Sequence, residues 1–74
     1  MQKFTVQIHE KTLTIQPKES GSFTIIDKGT KLGTIYPEPG DLQLEWRSDD
    51  PLKEDFISKI GELITLHNLG KTTL

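Results

Sequence analysis

The stretch FTIIDKGTKLGTIYPEPGDLQLEW, residues 23 to 46, predicts three β-strands separated by two turns. The first turn is Asp27-Lys28-Gly29, in which the glycine tolerates the left-handed backbone that tight turns often require. The second is Pro37-Glu38-Pro39-Gly40-Asp41, the strongest break in the chain, because proline has no N–H to donate and glycine favours turns. This pattern indicates neighbouring strands of an antiparallel sheet.

The middle strand of this stretch departs from simple alternation. Leu32 and Ile35 are three residues apart, whereas residues on one face of a strand are spaced by two. A bulge at Gly33 would restore the phase, since a glycine inside a strand often marks an inserted residue. The alternative is that Leu32 lies at the turn and only Ile35 faces the core.

Before Pro17, apolar and polar residues alternate in two runs that predict two half-buried strands. A chain reversal at Glu10-Lys11 places Ile8 opposite Leu13 and keeps the apolar residues of both strands on one face. Glu-Lys is a poor pair for a two-residue turn, because neither residue favours positive φ, so a wider loop is also possible. The alternating apolar residues are Phe4, Val6, Ile8, Leu13 and Ile15.

After the second turn of the opening stretch, apolar residues alternate again and predict a fifth strand. Leu42, Leu44 and Trp46 share one face, so we expect Trp46 in the core. Tyr36 directly follows Ile35, so we expect it on the opposite face of the sheet.

The C-terminal third of the chain predicts one amphipathic helix. Asp50 is expected to be its N-cap and Pro51 its first residue, where the missing N–H costs nothing. Gly61 lies inside the helix near the edge of the apolar stripe, and a close approach of helix to sheet would explain a glycine there. The stripe comprises Leu52, Phe56, Ile60, Leu63, Ile64 and His67, with Ile57 at its edge.

These elements predict an α+β domain. Its sheet is a five-stranded antiparallel meander, either a curled sheet or a half-barrel, packed by one C-terminal amphipathic helix. At 74 residues, the chain is long enough for only one domain. We expect that domain to span residues 1–70 and residues 71–74 to form a flexible tail.

Composition argues against several classes of function. The net charge is −2 and arginine occurs once, as Arg47, so the chain has no basic stripe for nucleic acid or anionic membrane. No apolar run approaches the length of a membrane span, and the alternating N-terminus does not resemble a signal peptide. The absence of cysteine favours a reducing compartment, and we expect a cytoplasmic protein.

The candidate chemical groups are an acidic cluster and two histidines. Oxygen ligands at this density could hold Mg²⁺ or Ca²⁺, but their spacing matches no calcium loop, and capping of the helix also explains them. The two histidines lie in no zinc or catalytic-triad spacing. The cluster is Asp49, Asp50, Glu54 and Asp55, and the histidines are His9 and His67.

The sequence therefore predicts a small binding domain that is not an enzyme and has no cofactor and no metal. The expected partner is another protein or a second copy of the chain, bound through the uncovered sheet face or an edge strand. Ile26, Lys31 and Tyr36 are the candidate contact residues. The alternative is a small metal-dependent enzyme that uses Asp49, Asp50 and a histidine.

Overall fold

The computed structural model of the chain describes residues 3–42 and 44–72, and side chains within this range up to residue 68. These residues form five strands and one helix, and the sheet curls into a half-barrel. The predicted α+β fold is thereby confirmed. The elements are β1 (Phe4–Ile8), β2 (Lys11–Pro17), β3 (Phe23–Asp27), β4 (Thr30–Pro39), β5 (Leu44–Ser48) and α1 (Glu54–Thr72).

The sheet is an antiparallel meander with strand order β1-β2-β3-β4-β5. The long strand β4 pairs with β3 through its first half and with β5 through its second half. Helix α1 contacts β5, β1 and β4, and the core lies between the helix and the sheet. Among the described residues, the buried apolar side chains are Val6, Ile8, Leu13, Ile15, Ile25, Ile35, Ile57, Ile60 and Ile64.

The turn between β1 and β2 comes earlier in the chain than the sequence predicts. Ile8 pairs with Lys11 across a two-residue turn, and Val6, not Ile8, lies opposite Leu13. The predicted register is thus wrong by two residues, although a shift of two keeps every side chain on its predicted face. His9 has φ +56°, and histidine adopts this left-handed backbone more readily than most residues.

The turn between β3 and β4 follows the prediction. Lys28 and Gly29 both have positive φ, at +51° and +83°, as a tight hairpin turn requires. A bulge is present, because Ile26 pairs with Lys31 whereas Ile25 pairs with Gly33, but it does not bring Leu32 into the core: Leu32 is 37% exposed and only Ile35 is buried, as the alternative prediction has it. The inserted residue is Leu32, immediately before Gly33.

Strand β5 is shorter than the sequence predicts. It begins at Leu44, whereas Leu42 precedes the strand and is 99% exposed. Gln43 lies outside the described residues. Trp46 packs against the core as expected, but Leu44 is 58% exposed, so only one of the three predicted core residues of this strand contributes to the core.

The helix begins later than the sequence predicts. Its first residue is Glu54, so Asp50 is not its N-cap and Pro51 is not its first residue. The carboxylate of Asp50 instead accepts the backbone N–H of Thr34 at 2.9 Å, and the Ser48 hydroxyl donates to the Thr34 carbonyl at 2.6 Å. Because β5 ends at Ser48, these side chains satisfy backbone groups of β4 that have no further strand to pair with.

The apolar stripe of α1 faces the sheet, and the position of one residue in it differs from the prediction. Ile57, Ile60 and Ile64 are buried, which places Ile57 within the stripe and not at its edge. The helix continues to Thr72. The proposed domain boundary at residue 70 and the tail over 71–74 remain predictions, and residues 73–74 lie outside the described range.

Candidate functional site: the groove beside β5

Strand β5 lies at an edge of the sheet, so one side of its backbone has no neighbouring strand among the described residues. Successive residues of a strand point their N–H and C=O groups to alternate sides. The directions of these groups in β4 therefore show which residues of β5 point their backbone groups to the open side. The N–H of Thr34 points to the β5 side, where Asp50 accepts it. The backbone N–H and C=O of Tyr36 therefore also point to β5. The backbone groups of Pro37 and Pro39, which have no N–H, point away from β5.

The register between β4 and β5 shows which residues of β5 point their backbone groups to β4. Tyr36 lies opposite Arg47, so Arg47 and, two residues earlier, Glu45 direct their backbone groups to β4. The intervening residues direct theirs to the open side. Within the part of the chain that the structure describes, the edge thus presents backbone donors and acceptors without a strand partner at Leu44, Trp46 and Ser48.

An open groove follows this edge between β5 and α1. It has a volume of about 900 Å³, and we call it the β5 groove. Leu44 and Leu66 are 58% and 56% exposed and lie on its strand side and its helix side. Its lining comprises Leu44 to Ser48 of β5 together with Leu52, Glu54, Ile57, Ser58, Glu62, Thr65 and Leu66.

The groove is built on a close contact between helix and strand. A Cβ atom added to Gly61 would overlap the Trp46 ring, so the helix backbone lies directly against the indole. Phe23 also packs against the indole, with ring centroids 5.7 Å apart at a 60° tilt. Trp46 therefore fixes the distance between α1 and β5 and hence the width of the groove.

The charges that line the groove are mainly negative. Glu45, Glu54 and Glu62 supply carboxylates, and Arg47 is the one basic residue among the described residues that line it. The Arg47 guanidinium forms ion pairs with Glu45 at 3.1 Å and with Glu38 at 3.5 Å. The charge of Arg47 is thus already balanced by carboxylates of β4 and β5, and the carboxylates of α1 dominate the groove.

Tyr36 lies on the opposite face of the sheet from the helix, as the sequence predicts. It is half-buried, and its hydroxyl donates a hydrogen bond to Asp49 Oδ1 at 3.3 Å. Partial burial raises the pKa of the Tyr36 phenol above its usual value. The Asp49 and Glu38 carboxylates raise this pKa further, while Arg47 lowers it.

The structure places two of the three candidate contact residues together. Ile26 and Lys31 are cross-strand partners, but Tyr36 lies farther along β4. The pair Thr24–Thr34 separates Tyr36 from Ile26, and four residues of strand correspond to about 13 Å. A contact role for Ile26, Lys31 and Tyr36 remains a prediction.

The residues of the alternative metal site do not converge. Asp49 accepts from Tyr36, whereas Asp50 binds the backbone of Thr34 and lies against Gly33. His9 occupies the β1–β2 turn, and His67 stacks on the ring of Phe4 with centroids 3.8 Å apart. Within residues 3–42 and 44–72, no group of three or more acidic, histidine or cysteine side chains could hold a metal ion.

Two features of the sequence point to the β5 groove. Leu66 lies outside the predicted apolar stripe, so its exposure on the helix could be anticipated. Pro37 and Pro39 also indicate the phase of β4, since proline must place its missing N–H away from a paired neighbour. The groove itself depends on the helix position, which a strand pattern does not specify.

Comparisons with known proteins add no information about the candidate site. A scan against protein-family models found no matching family, and searches of curated proteins and solved structures found no match. In the described part of the chain, no helix has both the length and the apolar character needed to cross a membrane.

Proposed function

We propose that this protein is a non-catalytic, cytoplasmic protein-binding domain that takes an extended segment of another protein as an added strand at β5. The observation that carries this proposal is the open backbone edge at Leu44, Trp46 and Ser48, which borders the β5 groove. An added strand satisfies such an edge with main-chain hydrogen bonds, and the adjacent groove receives alternate side chains.

The shape of the groove favours an extended segment over a folded surface. One strand needs a width of about 4.8 Å beside β5, whereas a partner that brought its own helix to this edge would have to fit it beside α1. The exposed Leu44 and Leu66 offer apolar area on both sides of the segment. Burial of apolar area contributes about 25 cal/mol per Å².

The small size of the protein also supports a binding role. A core in a domain of this length rarely supplies more than about 3–5 kcal/mol, and a bound strand would stabilise the folded state by mass action. The absence of cysteine is the basis for proposing a reducing, cytoplasmic compartment.

Amide hydrogen exchange tests the proposal directly. The probe is a soluble, uncharged heptapeptide of alternating threonine and valine. We expect saturating peptide to slow exchange at Trp46 and Ser48, whose N–H groups face the open edge, much more than at Glu45 and Arg47. Unchanged exchange at both edge amides would contradict the proposal.

A pair of variants at one position provides the matched control. Leu44→Thr replaces the leucine side chain and keeps the N–H, whereas Leu44→Pro replaces the leucine side chain and also removes the N–H. Leu44 begins the strand and points its N–H outward, so proline is compatible with the paired side of β5. We expect Leu44→Pro to bind more weakly than Leu44→Thr. Lys31→Glu tests the other face of the sheet and should leave binding unchanged.

A further inference from the structure

We infer that the segment bound in the β5 groove carries a basic residue and, four residues later in its own sequence, an apolar residue. This inference rests on the function proposed above and adds the chemistry and direction of the ligand. It follows from the two ends of the groove, which differ in charge and in apolar exposure.

Two contacts establish the direction of α1 along β5. Leu52, just before the helix, lies 2.9 Å from a Cβ placed on Gly33, beyond the Ser48 end of the strand. Gly61 lies against Trp46 at the middle of the strand. The helix therefore runs opposite to β5, with Glu54 toward Ser48 and Leu66 toward Leu44.

The Ser48 end of the groove carries a carboxylate. Glu54 lines it from the first turn of α1, whereas Glu62 lines the groove nearer its middle, next to Gly61. Both residues are exposed, and Arg47 is already paired with Glu38 and Glu45. A basic side chain in the segment would complement these carboxylates, whereas an acidic one would be repelled.

The Leu44 end of the groove is apolar. Leu44 and Leu66 expose more than half of their surface there, with Thr65 beside them. An apolar side chain of the segment would remove area of both leucines from water, which is the main favourable term for such a contact.

The geometry of a strand gives the number of residues between the basic and the apolar residue of the segment. Each strand pair of the sheet is antiparallel, so the proposed segment is antiparallel to β5 as well. It then hydrogen-bonds to the outward groups of Leu44, Trp46 and Ser48, and its residues opposite these three share the helix-side face. Because the segment runs from Ser48 to Leu44, its basic residue comes first and its apolar residue four positions later. The position between them, opposite Trp46, faces the helix backbone near Gly61 and favours a small side chain.

Three heptapeptides on a threonine background test this order. The first has lysine second and leucine sixth, the next has these two exchanged, and the last has glutamate in place of lysine. At low salt we expect the first to bind about tenfold more tightly than either of the others, and salt to reduce the difference. The exchanged peptide has the same composition, so its affinity isolates the order of the residues.

A charge-reversal variant assigns the effect to the groove. Glu54→Lys should abolish the preference for the lysine-first peptide, while Glu19→Lys, an exposed carboxylate in the β2–β3 loop, should preserve it. Circular dichroism checks that both variants fold. Equal affinity for all three peptides, with protection of the Trp46 and Ser48 amides, would overturn the inference but leave the proposed function intact.

Two other experimental outcomes can be distinguished from a failure of the inference alone. If no peptide protects those amides, the proposed function itself fails. If light scattering shows that the protein alone doubles its mass with concentration and Leu44→Pro prevents this, then a second copy occupies the edge and the partner-segment inference is overturned.

Discussion

At the scale of single residues, Gly61 has the clearest structural reason to be what it is. Glycine inside a helix costs roughly 1 kcal/mol relative to alanine, so its presence in α1 needs a compensating contact. The close approach of the helix backbone to Trp46 is that contact. The sequence predicted a helix–sheet approach at this glycine, and the structure identifies the indole as the partner.

We expect Gly61→Ala to destabilise the fold. The added methyl group would overlap the indole, and overpacking of this kind costs about 1–3 kcal/mol, more than alanine's gain in helix propensity. Chemical denaturation followed by Trp46 fluorescence measures the change. Ser58→Ala is the control, since this exposed helix residue should gain stability slightly. A higher free energy of unfolding for Gly61→Ala would show that the indole can move aside.

Tyr36 provides a second test at the residue scale, because it is the one tyrosine in the chain. Its pKa is raised, so folding favours the protonated phenol. This contribution to stability is fully present below the unfolded value of about 10 and is lost as pH rises through the folded-state pKa. Absorbance titration near 295 nm should show that the Tyr36 phenol of the folded protein ionises at a pH above the unfolded value of about 10.

Asp49→Asn should move the Tyr36 titration back toward its usual range, since it removes a charge that raises the pKa. Asp41→Asn is the matched control, because Asp41 is exposed and is not among the groups that shift the pKa. Identical titrations of the Asp49 variant and the parent protein would mean that the hydrogen bond between Tyr36 and Asp49 does not persist in solution.

At the scale of elements, turn chemistry was predictable where the residues favour one geometry. Asp27-Lys28-Gly29 gave the correct hairpin, because glycine marks the position with positive φ. At the β1–β2 turn no glycine marks the position, and the two-residue turn uses His9, so the predicted register was wrong by two. The face of each strand was still correct, since alternation alone determines it.

Lys28→Asn should stabilise the β3–β4 hairpin. Lys28 holds φ +51° next to Gly29, and Asn-Gly is the preferred pair for a turn with positive φ at both central residues. A gain of about 0.5–1 kcal/mol is expected from relief of the unfavourable backbone. Thermal unfolding measures it, with Lys28→Ala as a control that removes the same side chain without that preference. A gain that is equal in both variants would point to the lost charge as its cause.

Strand and helix ends were harder to predict, because tertiary contacts decide them. Asp50-Pro51 has the form of a helix start, yet the Asp50 carboxylate accepts the backbone N–H of Thr34 in β4. Leu42 continues the alternation of β5 but lies beyond the strand and is exposed. A local pattern does not show which neighbouring backbone lies within reach of a side chain.

At the scale of the whole molecule, the architecture follows from the sequence more completely than the candidate site does. Five alternating segments and one amphipathic stripe are enough to give the α+β class, because each must bury its apolar side. The β5 groove instead arises where the helix, the strand edge and Leu66 meet. The sequence alone therefore suggested contacts on the open sheet face and at an edge without choosing between them.

Pro37 and Pro39 have a consequence for how this small sheet avoids aggregation. The second half of β4 extends past β3, and its backbone on that side faces no strand among the described residues. An unpaired edge of this kind is a template for unwanted pairing between molecules. The prolines leave it without donors, so growth of the sheet is blocked there. Self-assembly into fibrils is discouraged on that side, while β5 stays open to a selected strand.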